Sequence, residues 1–463
     1  MDALTRYLDE HRDRFIEDLK AALRIPSVSA QPAHREDVRR CAEHIAGRLR
    51  AIGMTRAEVV ATAGHPVVYA EWLGAPGRPT AILYGHYDVQ PPEPLELWTT
   101  PPFEPVVRDG KLFARGAVDN KGQLYMHIGA IEAHLKVNGA LPVNLRAIVE
   151  GEEECGSESL ETFLRQRREQ LSADVIVISD TGMLGPDQPS ISYALRGILY
   201  TEIHVQGPAH DLHSGEFGGA VQNPGNALGV ILAGLKDADG KVTVPGFYDR
   251  VRAIPPEEKA LIKSLPFDEA SFIRATGASV AWGERGFSTY ERATTRPTLD
   301  VNGLWGGYAG PGSKTVLPAR ASAKVSMRLV PDQDPTEIFP RYESQVKKLA
   351  PPGVTVEVKN LHGALPFITE PDHPALQAAR RALARAWTKP PALIREGGSI
   401  PVCATFQEVL GLPIILMGFG LHDDNVHAPN EKFNLSSFHG GTRSVAYLYE
   451  ELGAGVKAES HAR

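Results

Sequence analysis

The sequence predicts an α/β protein in which a domain with a mostly parallel sheet is interrupted by a smaller, ferredoxin-like α+β domain. Short apolar strands alternate with helical patterns over about the first 180 residues, which favours a parallel sheet with helices on both faces. The middle of the chain instead shows strands of alternating polarity in the order βαββαβ, which is typical of a split βαβ module. We therefore expect 1–193 and 371–463 to form one domain and 194–370 the other.

The first part begins with an amphipathic helix and continues with three apolar strands. The N-terminal 25 residues carry apolar side chains on one side and lack the uninterrupted apolar core of a signal peptide. The strands are "TAILYGHYDV", "VNLRAIVEGEEE" and "ADVIVISDTG". Apolar spacing predicts helices over 121–139 and 157–171, and Ser157 before acidic residues indicates where the second one begins.

The middle part follows the order of a ferredoxin-like module with one insertion. Its predicted elements are a strand at 191–207, a helix at 223–236, strands at 298–306 and 321–331, a helix at 335–350 and a strand at 353–361. The insertion covers about 237–297. After it, a helix at 373–387, an apolar strand at 412–420 and a final helix return to the pattern of the first part.

Composition argues against several classes of function. The formal net charge is −7 and no Lys/Arg face stands out, so no nucleic-acid partner is expected. No stretch approaches the roughly 18 apolar residues of a membrane span, so no membrane partner is expected either. Three widely spaced cysteines give no disulfide framework and favour a reducing compartment. We expect a cytoplasmic protein.

Acidic and histidine side chains follow four of the apolar strands. These are His86 and Asp88 after "ILYG", Glu150 to Glu154 after "LRAIV", Asp180 after "VIVIS", and His427 within "LHDDNVHAPNE". A fifth segment, "LFARGAVDNKGQL", carries Asp119 just before a helix. Open α/β sheets bind ligands beyond the carboxyl ends of their strands, so the combination predicts a metal site there.

Each segment alone has a simpler interpretation. A single His-x-Asp is typical of a turn, a run of glutamates is typical of a solvated helix start, and an aspartate after a strand is typical of a helix N-cap. Only together do they indicate a metal centre. Imidazole and carboxylate ligands suit Zn²⁺, Mn²⁺ or Co²⁺. We expect Cys155, which follows the glutamates, to be a small buried residue rather than a thiolate ligand.

A larger set of motifs resembles the M20 metallopeptidase family, and most closely the branch that contains carnosinases and cytosolic nonspecific dipeptidases. The motifs are "GHYDVQPP", "RGAVDNKG", "EGEEECGS", "SDTG", "HSGEFGG", "GPGSKTVLP", "REGGSIP" and "HAPNEKF". They run in family order from residue 85 to residue 433. The resemblance implies a di-metal peptidase catalytic domain interrupted by a lid and dimerisation domain.

The resemblance also implies the metal ligands. Two divalent ions per subunit, Zn or Mn with Co possible, would be held by His86 and Asp180 in one site and by Glu154 and His427 in the other. Asp119 would bridge the two ions, and its peptide bond to the next residue would be cis.

The remaining catalytic roles follow from the same resemblance. A water shared by the two ions would attack the peptide bond, with Glu153 as the general base that takes its proton and returns it to the leaving amine. Asp88 would hydrogen-bond His86 and fix its tautomer. The family pattern has an apolar residue where Glu152 stands, so this chain departs from the pattern there.

The middle domain would supply the substrate contacts. His213 resembles the family histidine that reaches into the partner subunit's active site and polarises the scissile carbonyl, which implies a homodimer. Arg328 would bind the substrate's terminal carboxylate. Thr315, His362 and Ser399 resemble further substrate contacts. Taken alone, His213 is also consistent with a loop residue and Arg328 with an exposed strand residue.

The implied reaction is hydrolysis of the peptide bond of dipeptides or short peptides. An aspartate at position 180 accompanies substrates with a free amino terminus in related families, and "GPGSKTVLP" and "REGGSIP" follow the dipeptidase branch. Two alternatives stay open. One is an amidohydrolase of the same family that acts on N-acyl or N-carbamoyl amino acids. The other is a catalytically inactive binding protein on this fold.

Overall fold

The computed structural model describes residues 2–455 and divides the chain into two compact units. The first unit comprises Met1–Tyr193, Thr369–Ile394 and Thr405–Arg463, and the second comprises Ala194–Ile368 and Arg395–Ala404. The predicted interruption of one domain by another is thus how the chain is arranged. Arg395–Ala404, which we expected in the first domain, groups with the second unit.

Eighteen strands and fourteen α-helices make up the described chain. The strands are β1 (Arg56–Val60), β2 (Val67–Trp72), β3 (Thr80–His86), β4 (Val106–Arg108), β5 (Lys111–Phe113), β6 (Asn144–Glu150), β7 (Val175–Ile178), β8 (Ser190–Leu195), β9 (Gly197–Gln206), β10 (Leu212–His213), β11 (Thr298–Gly306), β12 (Val316–Leu317), β13 (Arg320–Leu329), β14 (Thr355–Ala364), β15 (Phe367–Ile368), β16 (Ala392–Glu396), β17 (Ile414–Leu416) and β18 (Lys432–Asn434). The helices are α1 (Ala3–Glu10), α2 (Arg12–Leu23), α3 (Arg35–Ile52), α4 (Lys121–Asn138), α5 (Glu158–Gln166), α6 (Ser214–Phe217), α7 (Pro224–Gly234), α8 (Pro256–Ser264), α9 (Glu269–Thr276), α10 (Thr289–Thr294), α11 (Pro335–Leu349), α12 (Pro374–Ala386), α13 (Pro401–Leu410) and α14 (Leu435–Gly455).

The first unit is built on a six-stranded sheet with the order β1-β2-β6-β3-β7-β17. Strands β6, β3, β7 and β17 run parallel, and β1 and β2 are antiparallel at one edge. The central strands are buried along nearly their whole length, which explains why they read as continuous apolar runs. Helix α4 is buried from Lys121 to His134 and contacts β3 and α14.

The parallel strands bring their carboxyl ends to one edge of this sheet. His86 is the last residue of β3 and pairs with Glu150, the last residue of β6. Strand β7 ends two residues before Asp180. The polar side chains that follow these strands therefore meet at that edge.

The second unit holds a four-stranded antiparallel sheet with the order β11-β13-β9-β14. Helices α7 and α11 pack against it, so the unit has the βαββαβ arrangement of a ferredoxin-like module. Its core contains alternate residues of β9 and β13 together with Ile338, Tyr342 and Val346 of α11. Helices α8, α9 and α10 lie within the insertion.

One predicted strand is interrupted. The segment 191–207 forms two strands, β8 and β9, that separate at Arg196. Leu195 pairs with Phe367, whereas Gly197 pairs with Leu329, so the chain changes sheets at this residue. The Arg196 N–H donates to Gly398 O at 3.1 Å instead of joining a ladder. Period-two polarity continues through the break, which is why the sequence pattern does not show it.

Candidate metal centre

Five side chains of the first unit converge as two triads of potential metal ligands. One triad is His86, Asp119 and Asp180, and the other is Asp119, Glu154 and His427. The donor atoms within each triad lie within 4.8 Å of one another. Asp119 belongs to both, because its Oδ1 lies 3.1 Å from His86 Nε2 and its Oδ2 lies 2.9 Å from His427 Nε2. The five predicted ligands are therefore close together, and the shared residue is the predicted one.

Strand ends and loops position these ligands. His86 is fully buried at the end of β3, and Asp180 follows β7. Asp119 lies two residues before α4 and is joined to Asn120 by a cis peptide bond, as the resemblance implies. Glu154 lies in a short 3₁₀ turn, Glu153–Cys155. His427 lies in the loop before β18 and has a left-handed backbone, with φ of 61°.

Asp88 lies where the prediction placed it, behind His86. His86 Nδ1 is 3.2 Å from the Asp88 backbone O and 3.4 Å from its Oδ1. The other carboxylate oxygen accepts a hydrogen bond from Glu154 N at 3.1 Å. Asp88 is fully buried, and its Oδ1 is without a hydrogen-bond partner among the described residues. It therefore contacts one ligand from each triad.

The carboxylates of the centre need positive charge to balance them. Among the described residues, no Lys or Arg forms an ion pair with Asp119, Asp180 or Glu154. Burial disfavours the charged form of His86, but its hydrogen bonds to carboxylates outweigh burial and raise its pKa. Hydrogen bonds to Asp119 and Glu154 raise the pKa of His427 to about 10. This oxygen and imidazole donor set fits divalent Zn, Mn or Co.

The four glutamates at and after the end of β6 have separate environments. Glu150 accepts from Tyr84 Oη at 2.6 Å, and Glu152 accepts from His65 N at 2.6 Å and Ser159 N at 2.9 Å. Glu152, the departure from the family pattern, thus ties a loop to the start of α5 and stays out of the triads. Glu153 makes no side-chain hydrogen bond within the described chain. Burial, followed by nearby carboxylates, raises its pKa to about 8.

The five predicted substrate contacts lie in the second unit and form three separate groups. Exposed His213 pairs with Val316 in the two-stranded antiparallel sheet of β10 and β12, beside exposed Thr315. Arg328 Nη1 donates to Ser399 Oγ at 2.7 Å. His362 stacks on Tyr200 with ring centroids 5.4 Å apart.

Sequence reasoning missed several residues at the centre and in the second unit. Gln90 Nε2 donates to Glu154 Oε2 at 2.8 Å, and Asn120 Nδ2 donates to Asp180 Oδ1 at 2.7 Å. Both lie inside the quoted motifs, so their position was a usable signal. Glu431 lies inside the motif "HAPNEKF" as well, whereas Arg196 lies in none of the quoted motifs and carried no such signal. The expectation that Cys155 is buried is wrong, because it lies exposed on a turn. Cys155 belongs to neither of the two triads of potential ligands.

Comparisons with known proteins agree with this geometry. The family described as Peptidase family M20/M25/M40 matches residues 82–451. The chain is 34% identical to the Cys-Gly metallodipeptidase dug1 of Schizosaccharomyces pombe, over 98% of each chain. It is 32% identical to human Beta-Ala-His dipeptidase, over 98% of this chain and 92% of the relative.

Solved structures give the same result. The dipeptidase Dug1p of Saccharomyces cerevisiae has a TM-score of 0.78 at 30% identity, covering 98% of this chain and 99% of that one. An M20 family metallo-carboxypeptidase from Sulfolobus solfataricus has a TM-score of 0.82 at 31% identity, covering 95% and 99%. No helix of the described residues has the length and hydropathy of a membrane span.

Proposed function

Because the chain belongs to peptidase family M20/M25/M40, we propose that it hydrolyses the peptide bond of dipeptides or short peptides in a metal-dependent reaction. The observation that carries this proposal is the pair of ligand triads that share Asp119. Glu153 lies close enough to interact with their charges and belongs to neither triad. Relatives named as dipeptidases that match nearly the whole chain support the choice of substrate.

Two divalent ions, Zn or Mn with Co possible, would be held by the two triads. His86 and Asp180 would complete one site, Glu154 and His427 the other, and Asp119 would serve both. When bound, the ions supply Lewis-acid activation of water and of the scissile carbonyl. The backbone oxygen of Asp88, 3.2 Å from His86 Nδ1, would hold the ring from its far side and thereby set which nitrogen faces the centre.

Glu153 is the general base in this proposal. Its carboxylate makes no side-chain hydrogen bond in the part of the chain that the structure describes, which leaves it available to accept a proton. It would take the proton of the attacking water and return it to the leaving amine. The adjacent Glu154 cannot share this role, because it belongs to a ligand triad.

The second unit would bind the substrate. Arg328 would bind the terminal carboxylate, with Ser399 holding its guanidinium in place and Thr315 and His362 as further contacts. His213 Nδ1 accepts from Gly215 N at 3.0 Å, so the neutral ring carries its proton on Nε2. That nitrogen can donate to the carbonyl oxygen as negative charge develops on it.

We further propose a cytoplasmic homodimer in which His213 acts on the partner's substrate. Exposed apolar side chains of the second unit support the dimer: Val301, Leu304, Trp305, Tyr308 and Leu361. The three cysteines are free thiols, which is typical of a reducing compartment.

The test combines metal exchange with a substrate panel. Protein treated with EDTA is reloaded with Zn²⁺, Mn²⁺ or Co²⁺ and assayed on Ala-Ala, Leu-Gly, N-acetyl and N-carbamoyl amino acids. We expect metal-restored activity with the dipeptides at least about tenfold above the acylated compounds. Dominant deacylation would establish the amidohydrolase alternative. Metal-loaded protein that cleaves none of these compounds would indicate the inactive binding protein.

A further inference from the structure

The carboxylate of Glu431 is fully buried and accepts four hydrogen bonds from one short segment. Its Oε2 accepts from Arg115 Nη1 at 2.8 Å and from Gly116 N at 2.9 Å. Its Oε1 accepts from Val118 N at 3.0 Å and from Asp119 N at 3.2 Å. A single side chain therefore holds the backbone of 115–119, which ends at the carboxylate common to both triads.

The segment is shaped to surround an anion. Gly116 has a left-handed φ of 83°, and a Cβ there would lie 2.7 Å from Val89 Cγ1, so both conformation and space require glycine. With this turn, three backbone N–H groups point at one carboxylate, in the manner of an anion-binding nest. Arg115, only 1% exposed, neutralises the charge.

Glu431 also belongs to the loop that carries His427. Asn425, His427 and Asn430 have left-handed backbones, so this loop has no regular hydrogen-bond ladder to set its path. The Glu431 backbone O accepts from Ala114 N at 3.2 Å, which fastens the loop to the other segment a second time. The two segments meet again where His427 Nε2 approaches Asp119 Oδ2.

We propose that Glu431 is a positioning residue that holds Asp119 and His427 in the relative placement that metal binding needs. The inference rests on the metal centre proposed above. Glu431 is not a ligand, and it acts through the backbone of 115–119 and through its own loop. In Glu431→Gln, an NH₂ group would face N–H donors, and Arg115 would be left buried without its counter-charge.

The matched control is Asp424→Asn. Asp424 is an equally buried carboxylate of the same loop and accepts from Leu421 N and Lys432 Nζ, both at 2.6 Å. No hydrogen bond joins it to 115–119 in the described chain. If burial of a charged group were all that mattered, the two variants would behave alike.

The experiment measures Co²⁺ affinity by chelator competition, the visible absorption of bound Co²⁺, and the melting temperature of the metal-free protein. We expect Glu431→Gln to lower metal affinity about 10- to 100-fold and to change the absorption bands. The metal affinity of Asp424→Asn should stay within about threefold of the wild-type value, even if its metal-free melting temperature falls as far as that of Glu431→Gln.

Metal affinity of Glu431→Gln within threefold of wild type, or an equal loss in Asp424→Asn, would overturn the inference while leaving the metal centre intact. A wild-type protein that binds no Co²⁺ would instead overturn the centre itself. If Glu431→Gln does not fold, Glu431→Asp decides by the same criterion, because its shorter side chain keeps the charge but cannot reach both donor pairs.

Discussion

Two adjacent glutamates show how much the environment of a single residue determines. Glu154 belongs to a ligand triad and accepts from Gln90, whereas Glu153 makes no side-chain hydrogen bond within the described residues. Both follow the same strand, and their side chains are chemically identical. The short 3₁₀ turn that carries them directs one side chain into a triad of potential ligands and the other away from it, which fits the proposed roles of ligand and base.

Exchanging each glutamate for glutamine should therefore separate catalysis from metal binding. Glu153→Gln should lower kcat about 10²- to 10⁴-fold while metal content stays at the wild-type value, because only the proton acceptor is lost. Glu154→Gln should lower metal content as well. Metal analysis alongside kcat distinguishes the two, and a Glu153→Gln protein that lost its metal would contradict the assignment.

His127, which is not one of the proposed metal ligands, makes the stability of the first unit sensitive to acid. It is 1% exposed, and its ring nitrogens contact Tyr449 Oη at 3.0 Å and Ser179 Oγ at 2.9 Å. Burial lowers its pKa to about 3. Below about pH 6.5 the unfolded chain binds a proton here and the folded chain does not, so the free energy of unfolding falls as pH falls.

The expected size of this loss is about 1.4 kcal/mol per pH unit, or about 2 kcal/mol between pH 6.5 and pH 5. Urea unfolding of metal-free protein at these two pH values measures it. His127→Gln removes the titrating group. The fall in its free energy of unfolding between pH 6.5 and pH 5 should therefore be smaller than that of the wild type by about 2 kcal/mol. Equal differences in both proteins would show that His127 is protonated in the folded state.

At the scale of elements, the sequence predicts helices and strands that have a local pattern, and it misses side-chain contacts with residues elsewhere in the chain. Continuous apolar runs made β3, β6 and β7 predictable, and apolar residues at helical spacing made α4 predictable, together with the edge where ligands collect. Ser157 was expected to cap α5, but its hydroxyl donates to Glu150 at 3.0 Å. That partner, like the partners of Arg196, leaves no local pattern in the sequence.

Arg196 organises the segment that carries Ser399. Its N–H donates to Gly398 O at 3.1 Å, its Nε donates to Gly397 O at 2.9 Å, and its carbonyl accepts from Ser399 Oγ. Ser399 in turn receives Arg328 Nη1 at 2.7 Å. Arg196 therefore holds three successive residues beside Arg328 at the point where β8 and β9 separate.

Loss of the Arg196 side chain should impair substrate binding more than chemistry. Burial, followed by the charge of Arg328, lowers the pKa of Arg196 to about 10. In Arg196→Gln we expect KM for Ala-Ala to rise about tenfold while kcat stays within threefold of the wild-type value. The reason is that the hydrogen bond from Arg196 Nε to Gly397 O, which helps to place Ser399, is lost. The control is Arg292→Gln. Arg292 and Arg196 line the same cavity of about 460 Å³, but Arg292 Nε donates to Glu284 O. Equal KM values in the two variants would contradict a positioning role.

At the scale of the whole molecule, the sequence motifs predicted both the chemistry and a homodimer, and the homodimer stays a prediction. The proposed ligands come from three strand ends and two loops, spread over more than 300 residues between His86 and His427. Their convergence was predictable because parallel strands end at one edge. The proposal that His213 acts on a second copy of the chain rests on the family resemblance, because no periodicity within one chain encodes an assembly.

Mixing two inactive variants tests whether His213 acts on the partner subunit. His213→Ala and Glu153→Ala should each be inactive, yet a mixed dimer pairs one intact Glu153 with one intact His213, so a statistical mixture should recover about a quarter of wild-type activity. As a control, the double variant mixed with wild type should lower activity below that of the wild-type chains present, because no complete site forms in the mixed dimer. If native mass spectrometry shows mixed dimers and no activity returns, His213 acts within its own chain.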